Sequence, residues 1–378
     1  MKTLKDIKGM KGKGGKQRAL IRVDYNVPLK GNKILDTRRI DASFATIHAL
    51  QKKGMQVLLL AHLGDASASL KPIATYLSKH FSVKFVTTPI LHPEKKGALL
   101  ERLPKDTVIL FENIRQYEGE EKNTPVFAKA LSKLGDIFVN DAFSVSHRKH
   151  ASVVGIAKYL PSYAGMQLEK EINMLSPLLT NKKHPFLFIL GGAKFSTKVP
   201  LLKRFIDSAD NVVISGAILN SFYKTAGFEV GASVVEDGYE KEINKLLSSP
   251  KLLLPTDVVV LRGTKKLSLM ANEIQKNDTI VDIGKDSVRL INEKIQKAKV
   301  VVWNGPTGWY EKGFTGATIA LAKAIKESKA QAVIGGGDTG VVVEKVVGDA
   351  KRVFISTGGG ATLDFLANGT LPGVQSLK

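Results

Sequence analysis

Short, nearly unbroken apolar runs recur along the chain, each followed by a polar or glycine-rich stretch and then by apolar residues at helical spacing. One series comprises ALIRVDYNV (19–27), MQVLLLAHLG (55–64), TVILFENIR (107–115) and DIFVNDAFS (136–144). A second comprises FLFILGGAK (186–194), NVVISGA (211–217), DVVVLRG (257–263), VVVWNGPTG (300–308), AVIGGGDTG (332–340) and RVFISTGGG (352–360). A strand that is apolar at every position, rather than at alternate ones, must be covered on both faces, as in a parallel sheet between helices. The pattern predicts an α/β protein of two doubly wound, parallel-sheet, Rossmann-like domains. Between the two series, LEKEINMLSPLL (168–179) carries Leu168, Ile172, Leu175, Leu178 and Leu179 at helical spacing and is expected as a hinge helix joining them. The expected boundaries are 1–167 for the first domain, 168–183 for the helix and linker, and 184–364 for the second.

Ligands of such domains sit beyond the carboxyl ends of the strands, so the residues that close each run carry the functional signal. The first series closes on Arg22, Asp24, Asn26, His62, Arg115, Asn140 and Asp141. The second closes on Gly191-Gly192, Gly335-Gly336-Gly337 and Gly358-Gly359-Gly360. A cationic cleft in the first half suits a small anion, and glycine turns in the second suit a chain of phosphates.

Composition narrows this picture. The 378 residues suffice for two full cores, and with 56 Lys and Arg against 35 Asp and Glu the net charge of +21 favours anionic partners without choosing among them. No basic helix or aromatic stacking platform stands out, so no specific nucleic-acid partner is expected. With no Cys, thiolate metal sites, disulfides and thiol nucleophiles are excluded. No apolar stretch approaches the roughly 20 residues of a membrane span, and the lysine-rich start has no apolar signal core, so a cytoplasmic protein is expected. Neither H-E-x-x-H nor G-x-S-x-G occurs, which argues against zinc hydrolase and serine hydrolase chemistry.

Within the second half, GGGDTG (335–340) can turn backbone N–H groups toward an anion, offer Asp338 to a divalent cation and Thr339 as a helix cap. A plain glycine turn with an Asp cap is the alternative. STGGGATLDFL (356–366) again sets glycines before a helix, and GGAKFSTK (191–198) puts Lys194 and Lys198 four residues apart beside Gly191-Gly192. In the first half Arg22, Arg39, Arg115 and Arg148, with His62, His147 and His150, lie in or beside strand-end segments. Several arginine forks converging on one place would bind a compact anion bearing carboxylate and phosphate.

The segments RVDYNVPL (22–29), HLG (62–64), ENIRQYEGEEKN (112–123), NDAFSVSHRKHASVVG (140–155), GGAKFSTK, WNGPTGWYE (303–311), GGGDTG, STGGGATLDFL and LPGV (371–374) together resemble the phosphoglycerate kinase family, in the same order over nearly the full length. The resemblance implies reversible transfer of the acyl phosphate of 1,3-bisphosphoglycerate to Mg-ADP by a phosphotransferase with a carboxyl acceptor. It also implies a hinge-bending monomer whose C-terminal tail, 365–378, packs back on the first domain. Carried over by position, it implies a phosphoglycerate side of Arg22, Asp24, Asn26, Arg39, His62, Arg115, His147 and Arg148. On the nucleotide side it implies Gly192, Lys194, Lys198, Gly216, Asn304, Pro306, Glu311, Gly337, Asp338 and Thr339, with Asp338 on Mg²⁺. Arg39, Lys194, Gly359 and Gly360 fall to the transferring phosphoryl group.

Departures from the family pattern are local. Asp65 stands where the family continues HLG with Arg, in a shortened loop, HLGDASASLKP, for which Lys71, Arg38 and Lys149 are candidate replacement cations. Ser144 replaces a glycine of DAFG, GGGMA reads SGAIL (215–219), DIGP reads DIGK (282–285) and WNGPMGVFE reads WNGPTGWYE. They motivate an alternative, a catalytically impaired homologue that binds nucleotide or polyanion as a regulatory module.

Overall fold

The structure, a computed structural model, describes residues 1–8, 16–87, 100–180 and 183–377, with only the backbone at Asp338. The chain divides into two compact units, Met1–Asn173 with Asn368–Lys378, and Met174–Ala367. The helix Met166–Leu179 carries the chain from one to the other.

Unit 1 is built on a parallel sheet in the order Val83–Val86, Val108–Phe111, Gln56–Leu60, Arg18–Arg22, Ile137–Asn140, Ser162–Ala164. Its central strands are buried at nearly every position, Leu20, Ile21, Leu58, Leu59, Leu110 and Val139 completely, which is what their unbroken apolar runs require. Chain order reverses between Arg18–Arg22 and Ile137–Asn140, whose last residues, Arg22 and Asn140, are register partners. The C-terminal segment belongs to this unit: Gly373 N donates to Ser146 O at 2.8 Å, and Asn140 Nδ2 donates to Gly373 O at 3.3 Å.

Unit 2 has a second parallel sheet, ordered Leu252–Leu253, Asn211–Ile214, Phe186–Leu190, Val300–Asn304, Gln331–Gly335, Val353–Ile355. This is the dinucleotide-fold strand order, with its reversal between Phe186–Leu190 and Val300–Asn304. Helices cover the sheet by their apolar stripes. Val199–Ser208, for example, buries Leu201, Leu202 and Phe205, and the Phe205 ring stacks 4.6 Å from that of Phe188 on the sheet.

One strand sits elsewhere than its pattern predicts. Asp257–Arg262 is not part of the parallel sheet but the centre of a three-stranded antiparallel one, between Lys265–Met270 and Asp278–Ile283. Only Gly263 and Thr264 separate it from Lys265–Met270, and a two-residue loop with Gly263 at φ 62° joins antiparallel neighbours only. The edge strands Val83–Val86, Ser162–Ala164 and Leu252–Leu253 are too short to form the apolar runs used for the sequence reading.

Candidate active site

In unit 1 the loops beyond the sheet reversal assemble a connected cationic surface. Asp24, just past Arg18–Arg22, pairs through Oδ2 with Arg39 Nη1 at 3.0 Å and accepts a hydrogen bond from Ser144 Oγ. Its Oδ1 accepts from Asn26 N at 3.1 Å, and Arg39 Nη1 also donates to Asn26 O at 3.1 Å. Asn26 Oδ1 accepts from Gly64 N at 2.9 Å, Arg115 donates to Gly64 O, and Arg115 Nε lies 3.2 Å from Glu121 Oε1. The structure thus brings Arg39, Asp24, Asn26 and Arg115 into one chain of contacts.

Electrostatic coupling puts Arg148, His62 and His150 in the same cluster. Burial, and then Arg115, lower the pKa of Arg148. Burial, and then Arg22, Arg115 and Arg148, hold the His62 imidazole far below its usual range. His150 is pulled down to about 4, again by burial first and Arg148 next. His147 lies half-buried immediately before Arg148. Each cation here disfavours its neighbours, and an anionic ligand would relieve that repulsion.

Arg22 stands apart from the other arginines. It is 1% exposed, and its guanidinium donates to Val23 O (2.6 Å), Ser152 Oγ (2.9 Å) and, more weakly, Leu60 O (3.4 Å), with Nη2 3.1 Å from His62 Nδ1. Those bonds leave it beneath the surface, facing His62. Asp65 is exposed, its carboxylate accepting from Ser67 N at 2.8 Å and Ser67 Oγ at 2.6 Å, which holds its pKa below the ordinary value. Of the expected replacement cations, Arg38 forks onto Asp36, with Nε 2.9 Å from Oδ1. Sequence reasoning missed Glu120 and Ser152, both fully buried behind Arg22, because a carboxylate within EGEEKN looks like an exposed helix charge.

In unit 2 the strand ends at the reversal are tied edge to edge. Gly191 N donates to Asn304 O (2.8 Å), Gly192 N to Pro306 O (3.0 Å) and Gly216 N to Thr307 O (2.9 Å). The approach is so close that a Cβ on Gly191 would stand 2.2 Å from Pro306 O, and Gly216, at φ 64°, would set one 2.5 Å from Gly192 N. Beside these turns lies a cavity of about 340 Å³ whose walls include Gly192, Gly216, Leu219, Val281, Pro306 and Glu311. It is large enough for a nucleoside.

Next to it, Lys198 Nζ donates to Asn304 Oδ1 at 2.5 Å, and burial pulls the Lys198 ammonium down to about 8. Asn304 Nδ2 and Thr339 Oγ1 are buried without hydrogen-bond partners among the described residues, groups whose desolvation calls for a ligand or water. The helix Gly337–Val347 is capped by Gly336 at φ 102°, so Thr339 lies inside its first turn and does not serve as the expected side-chain cap. The side chain of Asp338 lies outside the described residues. Among the described residues, a Cβ built on Gly337, Gly359 or Gly360 meets no atom within 4 Å beyond its own local chain, which leaves room for an anion beside these turns. Lys194 is exposed, on a loop whose following N–H groups, Phe195 N at 2.6 Å and Ser196 N at 3.3 Å, are held by the Glu236 carboxylate.

A family profile described as phosphoglycerate kinase matches residues 7–369. The chain belongs to the phosphoglycerate kinase family. It is 38% identical to the phosphoglycerate kinase of Dictyoglomus turgidum over 100% of this chain and 99% of that one. It is also 38% identical to that of Borreliella burgdorferi, with 100% and 99% covered. Among solved structures, phosphoglycerate kinase from Coxiella burnetii superposes with a TM-score of 0.81 at 33% identity, covering 96% of this chain and 95% of that one. The enzyme from Pyrococcus horikoshii gives 0.85 at 28% identity, with 100% and 98% covered. Family membership makes the chain a kinase whose phosphoryl acceptor is a carboxyl group. Among the described residues no helix is long and apolar enough to cross a membrane.

Proposed function

We propose that unit 1 binds the phosphoglycerate and unit 2 the nucleotide in reversible phosphoryl transfer between 1,3-bisphosphoglycerate and Mg-ADP, giving 3-phosphoglycerate and ATP. The observation that carries this reading is the convergence of Arg39, Arg115, Arg148 and His62 beyond the sheet of unit 1, since a nucleotide fold alone is shared by many chemistries. These cations, with His147, hold the carboxylate and phosphate of the triose. Asp24 and Asn26 orient Arg39, and Arg22 acts from below.

In unit 2, Gly192, Gly216, Pro306 and Glu311 surround the nucleoside, while Lys198, Asn304, Gly337 and Thr339 face its phosphates. Mg²⁺ arrives on those phosphates as part of the substrate, with Asp338 as its carboxylate contact. Among the described residues no group of three His, Asp or Glu could hold a separate metal. The attacking carboxylate of 3-phosphoglycerate is ionised at pH 7, because carboxyl pKa values lie near 4, and needs no general base. What the protein supplies is alignment and charge, from Lys194, Arg39 and the N–H groups at Gly359 and Gly360.

Direct transfer requires the two substrates to meet, so the reading includes closure about the 168–179 segment. It has the enzyme work as a cytoplasmic monomer on small molecules, with no membrane or specific nucleic-acid partner. The impaired-homologue alternative draws no support from either half-site. The test is a coupled assay of the purified chain with 3-phosphoglycerate, ATP and Mg²⁺, in which saturable turnover is expected. Absence of turnover in protein that still binds both substrates would overturn the reading.

A further inference from the structure

Behind the cationic surface of unit 1 lies a buried polar chain that the reaction itself does not call for. Glu120 is completely buried, and its two oxygens accept from Ser152 Oγ at 2.6 Å and Ser152 N at 2.9 Å. Ser152 Oγ in turn accepts from Arg22 Nε at 2.9 Å, and Arg22 Nη2 stands 3.1 Å from His62 Nδ1. Donors and acceptors along this line allow one arrangement. A guanidinium has five N–H donors and no acceptor, so the ring nitrogen it faces must present a lone pair. A flipped ring would put a C–H against the guanidinium and waste the bond. The His62 proton therefore sits on Nε2, which has no hydrogen-bond partner among the described residues.

Glu120 completes the logic. Arg22 is a fully buried cation, and an isolated buried charge is strongly unfavourable unless a counter-charge accompanies it. Glu120 is the largest favourable influence on the Arg22 charge, opposing the effect of burial. The serine between them also orients the fork, since its hydroxyl donates to Glu120 and so must accept from Nε. We infer that Glu120, through Ser152 and Arg22, is a positioning residue that holds His62 neutral and protonated on Nε2, as a hydrogen-bond donor to an anionic group of the phosphoglycerate. Its second half rests on the functional reading above, while the tautomer does not.

The test uses the full chain labelled with ¹⁵N-histidine. Two-bond ¹H–¹⁵N correlation at pH 7, with the signal assigned by its loss in His62→Gln, is expected to show His62 with bare Nδ1 and protonated Nε2. A His62 protonated on Nδ1, or on both nitrogens, overturns the inference in the wild type alone, whatever any variant does. Ser152→Ala should disturb that signal and weaken 3-phosphoglycerate binding by about 5- to 30-fold, the value of one or two hydrogen bonds, with ADP binding changed less than about twofold. Ser152→Thr, which restores the hydroxyl, should recover both, and Glu120→Gln gives an independent loss of the counter-charge. Unchanged His62 signals in both Ser152→Ala and Glu120→Gln would overturn the relay. A signal that moves while 3-phosphoglycerate affinity does not would overturn the substrate contact of His62, and a wild type with the expected tautomer but no turnover would overturn the functional reading alone.

Discussion

Nucleotide binding is expected to draw in a proton above pH 8, and Lys198 is the group that takes it. Its ammonium is half-buried against Asn304 Oδ1, 2.5 Å away, and the loss of solvent around it brings it from its ordinary 10.5 down to about 8. A phosphate oxygen within reach would supply the missing negative charge and return the pKa toward its ordinary value. At pH 9 a group of pKa about 8 is roughly 10% charged and one near 10.5 is roughly 97% charged, so binding should take up about 0.9 proton. At pH 7 the same difference is only about 0.1 proton, and between pH 7 and 9 the ADP dissociation constant should rise about tenfold. Phosphate ionisation does not interfere, since its last pKa is about 6.

Calorimetric titration of ADP in buffers of different ionisation enthalpy reads the proton count directly. Lys198→Met should bring it to zero and flatten the pH dependence of affinity. The free protein should show the mirror effect. Because the folded-state pKa lies below the unfolded one, the unfolded chain binds the extra proton between about 8 and 10.5, and the Lys198 contribution makes stability rise with pH across that window. No uptake at pH 9 in the wild type, or equal uptake in Lys198→Met, would refute the reasoning.

Lys194→Ala should lower turnover by about 10²- to 10³-fold with little change in ADP affinity, the scale of one lost preorganised transition-state donor, and steady-state kinetics within threefold of wild type would remove Lys194 from that role. Asp65→Arg should lower the KM for 3-phosphoglycerate by less than about tenfold, because the carboxylate it removes is exposed and already bonded to Ser67; an improvement near 100-fold would show that Asp65 acts on the substrate. Asp141, buried at the start of the helix Met166–Leu179 with Gln167 N donating to it at 2.8 Å, has its carboxyl pushed up to about 7 by burial. Its folded-state pKa exceeds the ordinary 3.8, so its contribution to stability falls as pH rises from 3.8 to about 7. Asp141→Asn should flatten that decline, and thermal melts from pH 4 to 8 with the same slope in both proteins would refute the assignment.

The parallel strands were legible because burial on both faces leaves runs such as VLLLA and FLFIL with no polar position, a signal that needs no tertiary knowledge. The same rule misplaced Asp257–Arg262, whose run is equally apolar. There the short loop at Gly263-Thr264 decided the topology, and composition did not. The candidate site residues that the pattern singled out lie beyond strand ends, as Asp24 does after Arg18–Arg22 and Gly191-Gly192 after Phe186–Leu190. A charge buried for the sake of another charge was not legible. Arg22 reads in sequence like Arg39, yet only the structure shows one spent on His62 and Ser152 and the other paired with Asp24. Glu120 and Glu118 are likewise indistinguishable by pattern, though one is sealed behind Arg22 and the other makes an exposed pair with Lys122.

The shortened loop at Asp65 shows how a change of charge sign is absorbed by geometry. Read as a sequence, an acid replaces a phosphate-facing cation. In the fold, Asn113 Nδ2 donates to the carbonyls of Leu63 and Asp65 at 2.8 and 2.7 Å, while Glu112 accepts from Ser69 Oγ at 2.7 Å and Leu70 N at 2.8 Å. Both ends of the loop are thereby fastened to the strand-end segment that also carries Arg115. The Asp65 carboxylate closes its own small turn on Ser67 and is held ionised there, at the exposed rim. Arg115 reaches this loop and donates to Gly64 O. Burial first, and then the neighbouring cations, lower the pKa values of Arg148 and His62, so positive groups still crowd one another in the cluster even without the expected arginine. On the proposed function, the loss of one cation is expected to cost the affinity of a single contact, because the remaining cations still draw a ligand with two anionic groups.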